Sequence, residues 1–241
     1  CWLPEGNQPV PTDELQNIPD DISDLLNNAG GSLDERLSKN ILKSFGIPTV
    51  EETWIKDPRQ CESKAISMGF PLVMKGLQTG VVHKTEHGLV ELNIVGPEEA
   101  RQSFERLLQK MNGRGSVLMQ KQLQGDVELI MGAIRDPQFG PCVMIGIGGR
   151  MADLIEDSVF TVAPLSAKEA LDAIGRLRTQ TLLDGFRGSQ PADRHVLASL
   201  MVTLGHLMAR YPRIQEIDIN PILVSGSQAV AVDATVVLSN P

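Results

Sequence analysis

Apolar residues recur along the chain with two periods, and the points where the period changes mark out its elements. Between 97 and 111, Ala100, Phe104, Leu107, Leu108 and Met111 fall at helical spacing, with Pro97 suited to a first turn and Gly113 to a stop, which predicts a helix over 97–111. Ser32 with Glu35 three residues on predicts a helix start, and Gly46 followed by Pro48 ends that helix near Phe45. Further helices are predicted over 58–68, 167–178 and 191–209. Strands are predicted over 49–55, 71–75, 88–94 and 116–121 in the first half, with a loop at 76–86, and over 128–134, 142–147, 153–155 and 159–162 in the second, before a closing hairpin. Local antiparallel strands flanked by helices make the expected class α+β, in two lobes that meet near residues 121–126. Pro4, Pro9, Pro11, Pro19 and Ala29-Gly30-Gly31 give residues 1–31 the composition of a linker. The expected organisation is therefore a linker (1–31), an N-terminal lobe (32–121) and a C-terminal lobe (122–241).

With 241 residues, 41% of them hydrophobic and 22% charged, the chain has material for a substantial core. Its net charge of −8 argues against bulk attraction to nucleic acid or an anionic membrane, while leaving room for a local phosphate site. No apolar run approaches the ~18 residues of a membrane-spanning helix. Residues 1–11 lack the basic start and apolar middle of a secretory signal. Cys1, Cys61 and Cys142 form no paired motif, so a reducing cytoplasm is the expected compartment.

The closing hairpin carries the first candidate chemistry. In Glu216-Ile217-Asp218-Ile219-Asn220 the oxygen-bearing side chains share one face and the isoleucines the other. Ser225-Gly226-Ser227-Gln228 suits a two-residue type II′ turn, and that register, carried down the strands, sets Asn220 directly opposite Asp233. Val230 and Val232 are expected to point away from Asp233. Mg²⁺ takes one or two protein oxygens and completes its octahedron with water and phosphate, which such a pair permits. A solvated face on a terminal hairpin is the alternative.

His195 and His206 lie on the polar side of a predicted helix and read as solvated. His83 and His87 sit in the polar loop Val82-His83-Lys84-Thr85-Glu86-His87-Gly88. A zinc pair lacks nearby further ligands, a surface or capping role is open, and a neutral imidazole is also a competent nucleophile that Glu86 would orient. Lys75 ends a mostly apolar strand and either grips phosphate or snorkels. Gly146-Ile147-Gly148-Gly149-Arg150 offers backbone N–H groups without the Lys and Ser of a P-loop, and Gly185-Phe186-Arg187-Gly188 frames an anion-binding arginine or a helix cap.

Taken in order, 38–48 (SKNILKSFGIP), 69–75 (GFPLVMK), 83–86 (HKTE), 136–140 (DPQFG), 146–149 (GIGG), 185–188 (GFRG), 216–222 (EIDINPI) and Asp233 resemble the ATP-grasp domain of ADP-forming acyl-CoA synthetases, relatives of succinyl-CoA synthetase. The resemblance spans about residues 33–238. It implies two α+β lobes with a nucleotide bound between them. It also implies a reaction in which acyl-CoA, ADP and phosphate exchange with free acid, CoA and ATP through an acyl phosphate and a phosphohistidine. By the same match His83 carries the phosphoryl group, Lys75 and Glu128 hold ATP or ADP, 120–123 with Gln120, Gln122 and Leu123 touches adenine, Arg187 grips phosphate, and Asn220 with Asp233 binds Mg²⁺.

Thr85 and Glu86 stand where the family's loop reads HKSD, and Thr161 stands where many relatives carry Arg. The family's CoA-binding and acid-binding domains have no counterpart here. They are expected as partners, in a second subunit or in one longer fused chain. A catalytically silent module, as in protein acetyltransferase fusions, is the alternative function, and retention of His83, Asn220 and Asp233 favours the synthetase.

Overall fold

A computed structural model describes residues 19–77, 88–149, 152–185 and 188–240. In chain order the elements are α1 (Asp20–Asn28), β1 (Gly31–Ser32), α2 (Glu35–Ser44), β2 (Glu52–Ile55), α3 (Cys61–Met68), β3 (Leu72–Leu77), β4 (Val90–Ile94), α4 (Pro97–Lys110) and β5 (Ser116–Lys121). There follow β6 (Val127–Asp136), β7 (Gly140–Ile147), α5 (Ala152–Ile155), β8 (Ser158–Val162), α6 (Ala167–Gly175), α7 (Arg194–Arg210), β9 (Ile214–Ser225), β10 (Gln228–Ala231) and β11 (Ala234–Leu238).

These elements form two units, one made of the chain up to Thr49 together with Gln124–Pro241, the other of Val50–Leu123. The division differs from the expected lobes because residues 31–49 complete the sheet of the C-terminal half. Strand β1 pairs with β11, Leu33 N–H donates to Val236 O (2.9 Å), and Ala231 N–H donates to Pro48 O (2.8 Å). Residues 20–28, expected as linker, are helical. Ile22 and Leu26, one helical turn apart, are buried, and the Arg213 guanidinium donates to the carbonyls of Leu26, Asn27 and Ala29 at the helix end.

In the second unit an antiparallel sheet runs β2-β5-β3-β4. One face, with Leu72, Met74, Val117 and Met119, packs on Ala65 of α3 and on Ala100, Phe104 and Leu107 of α4. The helix predicted over 97–111 is present, with Pro97 in its first turn and Glu98 and Glu99 beside its positive end.

In the first unit the sheet runs β1-β11-β9-β6-β7-β8, with β10 also paired to β9. Its inner face, including Leu129, Met131, Val143, Ile145, Ile217 and Ile219, packs on Leu197, Leu200, Met201 and Leu204 of α7 and Ala170 and Ala173 of α6. Helix α6 starts in a capping box between Ser166 and Glu169. Arg135 satisfies the C-terminal carbonyls of α7, donating to Met208 O (2.7 Å) and Tyr211 O (3.3 Å). Two local expectations change. Helix α2 is capped by Asp34, whose side chain accepts from Leu37 N–H, because Ser32 is held in β1. Residues 153–155 belong to the short helix α5, a run too short for periodicity to separate helix from strand.

After α5 the chain turns at Asp157. Its buried carboxylate accepts from the N–H groups of Arg178 (3.1 Å) and Thr179 (2.7 Å) and from the Thr179 hydroxyl. Burial pushes this carboxyl up, but those hydrogen bonds and the Arg178 charge outweigh it and hold it below the usual aspartate value. Its stabilisation is thus complete above the usual value and is lost as pH falls through the lower folded one. Asp157→Ala should cost about 1–3 kcal/mol near pH 7. In urea titrations the gap from the unsubstituted chain should narrow once the pH drops below about 4.

Candidate functional site

Strand β9 is the spine of the first unit's sheet, with β6 on one side and β10 and β11 on the other. The predicted hairpin register is the observed one: Gln228 pairs with Ser225, Ala231 with Ile222, Ala234 with Ile219 and Thr235 with Asp218. Gly226 takes φ +57° at the first turn position, the sign a type II′ turn requires. Asn220 therefore faces Asp233, and Asn220 N–H donates to Asp233 O at 3.2 Å.

The strand does not alternate simply through this point. Against β6, Leu129 pairs with Ile222 but Met131 with Ile219, so Asn220 and Pro221 together oppose Ile130 in a bulge. The extra residue switches which positions face the core, from Ile217 and Ile219 before the bulge to Ile222 and Val224 after it. Opposite, Ala231 and Ala234 both reach that core, leaving Val232 and Asp233 as a matching step. Val232 N–H donates to Pro221 O (3.0 Å), keeping the ladder closed across the step. The step corrects the expected alternation around Asp233: Val230 pairs with Leu223, off the helix-packed face, although it is buried.

On the face away from the helices, Asn220 and Glu216 are exposed and Asp218 is half-buried. Burial pushes the Asp218 carboxyl up, and the nearby charges of Glu216 and Asp233 push it further in the same direction. Such a surplus of negative charge is what a divalent cation relieves, and the donors present are the hard oxygens that Mg²⁺ prefers. Among the described residues, no group of three or more His, Cys, Asp or Glu side chains is placed to hold a metal ion.

Glu128 stands on the same side of the sheet, paired with Leu223. Its carboxylate lies directly over Gly149, where a Cβ would collide with Glu128 Oε2. Gly148 N–H donates to Glu128 O (2.8 Å), and a Cβ on Gly148 would meet Leu129 C at 2.9 Å. The glycine stretch thus seats the end of β7 against β6 around Glu128, and two of its amides are engaged within the fold, since Ile147 N–H donates to Asp157 O.

In the second unit, Lys75 and Gln120 share the face turned away from α3 and α4. Lys75 pairs with Leu118 and Gln120 with Val73, alternating with the core positions Met74 and Met119, and both are buried. The Gln122 side chain is engaged elsewhere, because its Oε1 accepts from Asn93 N–H (2.7 Å) and its Nε2 donates to Asn93 Oδ1 (2.8 Å). That pair holds Asn93 at φ +59°, and Gln122 N–H donates to Pro71 O. Leu123 is half-buried at the end of this unit. His83, His87 and Arg187 lie outside the described residues. Thr161 accepts from Arg176 Nη2 at 3.3 Å.

A family model described as an ATP-grasp domain matches residues 24–238. Subunit beta of acetate–CoA ligase (ADP-forming) I of Pyrococcus furiosus is 37% identical over 209 residues, 83% of this chain and 89% of the relative. Acetate–CoA ligase (ADP-forming) I of Archaeoglobus fulgidus is 33% identical over 91% of this chain, which spans only 33% of that longer protein. Among solved structures, the dinucleotide-forming acetyl-coenzyme A synthetase 1 of Candidatus Korarchaeum cryptofilum, in complex with coenzyme A, Ca-AMPCP and HgCl⁺, superposes with a TM-score of 0.85 at 32% identity. That match covers 91% of this chain and 98% of the other. A second structure of that synthetase, with coenzyme A and Mg-AMPPCP and a phosphohistidine segment pointing towards the nucleotide site, matches with a TM-score of 0.76 at 34% identity, covering 86% of this chain and 93% of the other.

The close approach at Gly148 predicts that Gly148→Ala forces β7 off the backbone of β6 and costs about 1–3 kcal/mol in chemical denaturation.

Proposed function

We propose that this chain, which belongs to the ATP-grasp family in the form found in ADP-forming acetate–CoA ligases, is the nucleotide-binding and phosphoryl-transfer part of an acid–thiol ligase. The supporting observation is the stepped hairpin that sets Asn220 against Asp233 within an acidic face. Lys75, buried on its strand, would hold the nucleotide phosphates, and Gln120 and Leu123 would line the adenine end. The Gln122 side chain, engaged with Asn93, would act there by fixing the segment and not by touching the base. Glu128, seated over Gly149, and Arg187 complete the proposed nucleotide set.

His83 would attack the γ-phosphorus of ATP in line. An N–P bond forms as the bond to the β-phosphate oxygen breaks, and ADP leaves with that electron pair. Glu86 would orient the imidazole and hold the proton on its other nitrogen. Lys75 would offset the charge spread over the transferred group. Mg²⁺ held by Asn220 and Asp233 would supply further neutralisation of phosphate charge. In the acyl-CoA-forming direction the phosphoryl group would pass from the imidazole to the carboxylate of the acid, and the CoA thiol would then take the acyl group as its bond to phosphate breaks and inorganic phosphate leaves, on CoA-binding domains in a partner subunit or the same longer chain. Neither nucleic acid nor a membrane is proposed as a partner. No helix among the described residues is long and apolar enough to cross a membrane, and the free thiols Cys61 and Cys142 support a cytoplasmic location.

Incubating the chain with γ-labelled ATP and Mg²⁺ should place an acid-labile, base-stable phosphate on the protein, and His83→Ala should abolish it with ATP binding intact. Label that survives His83→Ala would overturn the assignment of the carrier. An absence of label even with the CoA-binding partner added would favour the silent module.

A further inference from the structure

The step that brings Asp233 opposite Asn220 leaves a backbone problem on its outer side. Beyond β11 the sheet continues only as the two residues of β1, which pair with Val237 and Leu238, while Ala231 is bridged by Pro48 and Thr49. Val232 lies between these partners, and although its N–H donates to Pro221 O, Pro221 has no N–H to return to the Val232 carbonyl. Val232 is half-buried, and among the described residues no strand supplies a donor to its carbonyl. The group that meets it is the ammonium of Lys39 on α2, whose Nζ donates to Val232 O at 3.2 Å.

Lys39 is itself almost entirely buried, at 1% exposure, so its charge needs a counterion at close range. Glu35, one turn earlier on the same helix, supplies it: Lys39 Nζ to Glu35 Oε1 is 2.8 Å, with both side chains at 2% exposure or less. The neighbouring Ser38 Oγ accepts from Val236 N–H at 3.0 Å. One turn of α2 thus grips the strand on both sides of Asp233, at Val232 and at Val236. A buried ion pair of this kind is a weak source of stability, since apolar residues of similar volume would often serve as well. Its placement, one peptide from Asp233, gives it a different use.

We infer that Glu35 and Lys39 are positioning residues for the cation site: Lys39 fixes the Val232 carbonyl, and with it the peptide that sets Asp233 opposite Asn220, while Glu35 holds Lys39 in place. This rests on the assignment of Asn220 and Asp233 to the metal. As positioning residues, neither Glu35 nor Lys39 would touch the cation or the nucleotide. Their contribution is the geometry of one ligand, comparable to the outer-sphere groups that orient metal-binding side chains.

The test compares the 241-residue chain with Lys39→Met, the double variant Glu35→Leu with Lys39→Met, and Asp233→Asn. Binding of a non-hydrolysable ATP analogue is titrated without metal and again with Mn²⁺, and the readout is the gain in affinity that Mn²⁺ confers. The double variant removes both buried charges together, so it carries the test if Lys39→Met alone does not fold. The expected result is a fall in the Mn²⁺-dependent gain on the order of 10-fold or more, with metal-free affinity within about two-fold of the original. Metal-free and metal-dependent binding falling in parallel would mark the pair as structural and overturn the inference, as would a full Mn²⁺ gain in the double variant. If Asp233→Asn also keeps the whole gain, the metal assignment itself fails while the nucleotide assignment stands.

Discussion

Strand β9 has to satisfy two environments along one stretch of backbone. One side of Ile217, Ile219, Ile222 and Val224 must be dry enough to seat α6 and α7, and the other must present Glu216, Asp218 and Asn220 to water, metal or phosphate. A strand meets both demands by alternation alone, but a strictly alternating strand keeps its polar groups in one straight row. The bulge at Asn220 and Pro221, mirrored by the step at Val232 and Asp233, breaks that row where Asn220 and Asp233 face each other from the two arms of the hairpin. Pro221 is suited to the place, because a bulge is where a central strand tolerates a residue with no N–H to give.

The cost of that irregularity is distributed over the first unit. Residues 31–49 close the side of the hairpin that β9 does not, and the buried charges of α2 answer a carbonyl to which Pro221, opposite it, has no N–H to give. Glycines do the corresponding work on the other flank. Gly146 and Gly148 allow β8 and β6 to approach the end of β7 more closely than any side chain permits, and Gly149 leaves room for the Glu128 carboxylate. In the second unit the same logic appears in a smaller form, where the Gln122 and Asn93 amides lock an otherwise unfavourable backbone conformation at Asn93.

Much of this was legible from residue order. The alternation of isoleucine with acid or amide, and a glycine in the turn, were enough to pair Asn220 with Asp233, because turn geometry sets register and register is rigid. The helix at 97–111 was equally clear, since its apolar stripe and punctuation agree. What local pattern hid depends on distant partners. Helix α1 has few apolar residues and is docked by Arg213, far along the chain. Glu35 and Lys39 look like an ordinary solvated pair at helical spacing, and only the β11 strand reveals them as interior groups. The engagement of the Gln122 amide by Asn93, 29 positions away, is likewise hidden from local pattern. The lobe boundary was misplaced for the same reason: membership of residues 31–49 in the first unit is decided by pairing with residues 231–238.

That discontinuity has a consequence for the life of the chain before it is complete. Helix α2 presents Ile41, Leu42 and Phe45 to a core whose other half includes Val236 and Leu238. On a ribosome adding ~5–20 residues per second, those apolar side chains wait roughly ten to forty seconds for the strand that covers them. The contiguous second unit, Val50–Leu123, has all its own strands and helices in hand long before that. Synthesis therefore delivers the contiguous unit while the discontinuous one, whose sheet carries Asn220 and Asp233, is still short of β11.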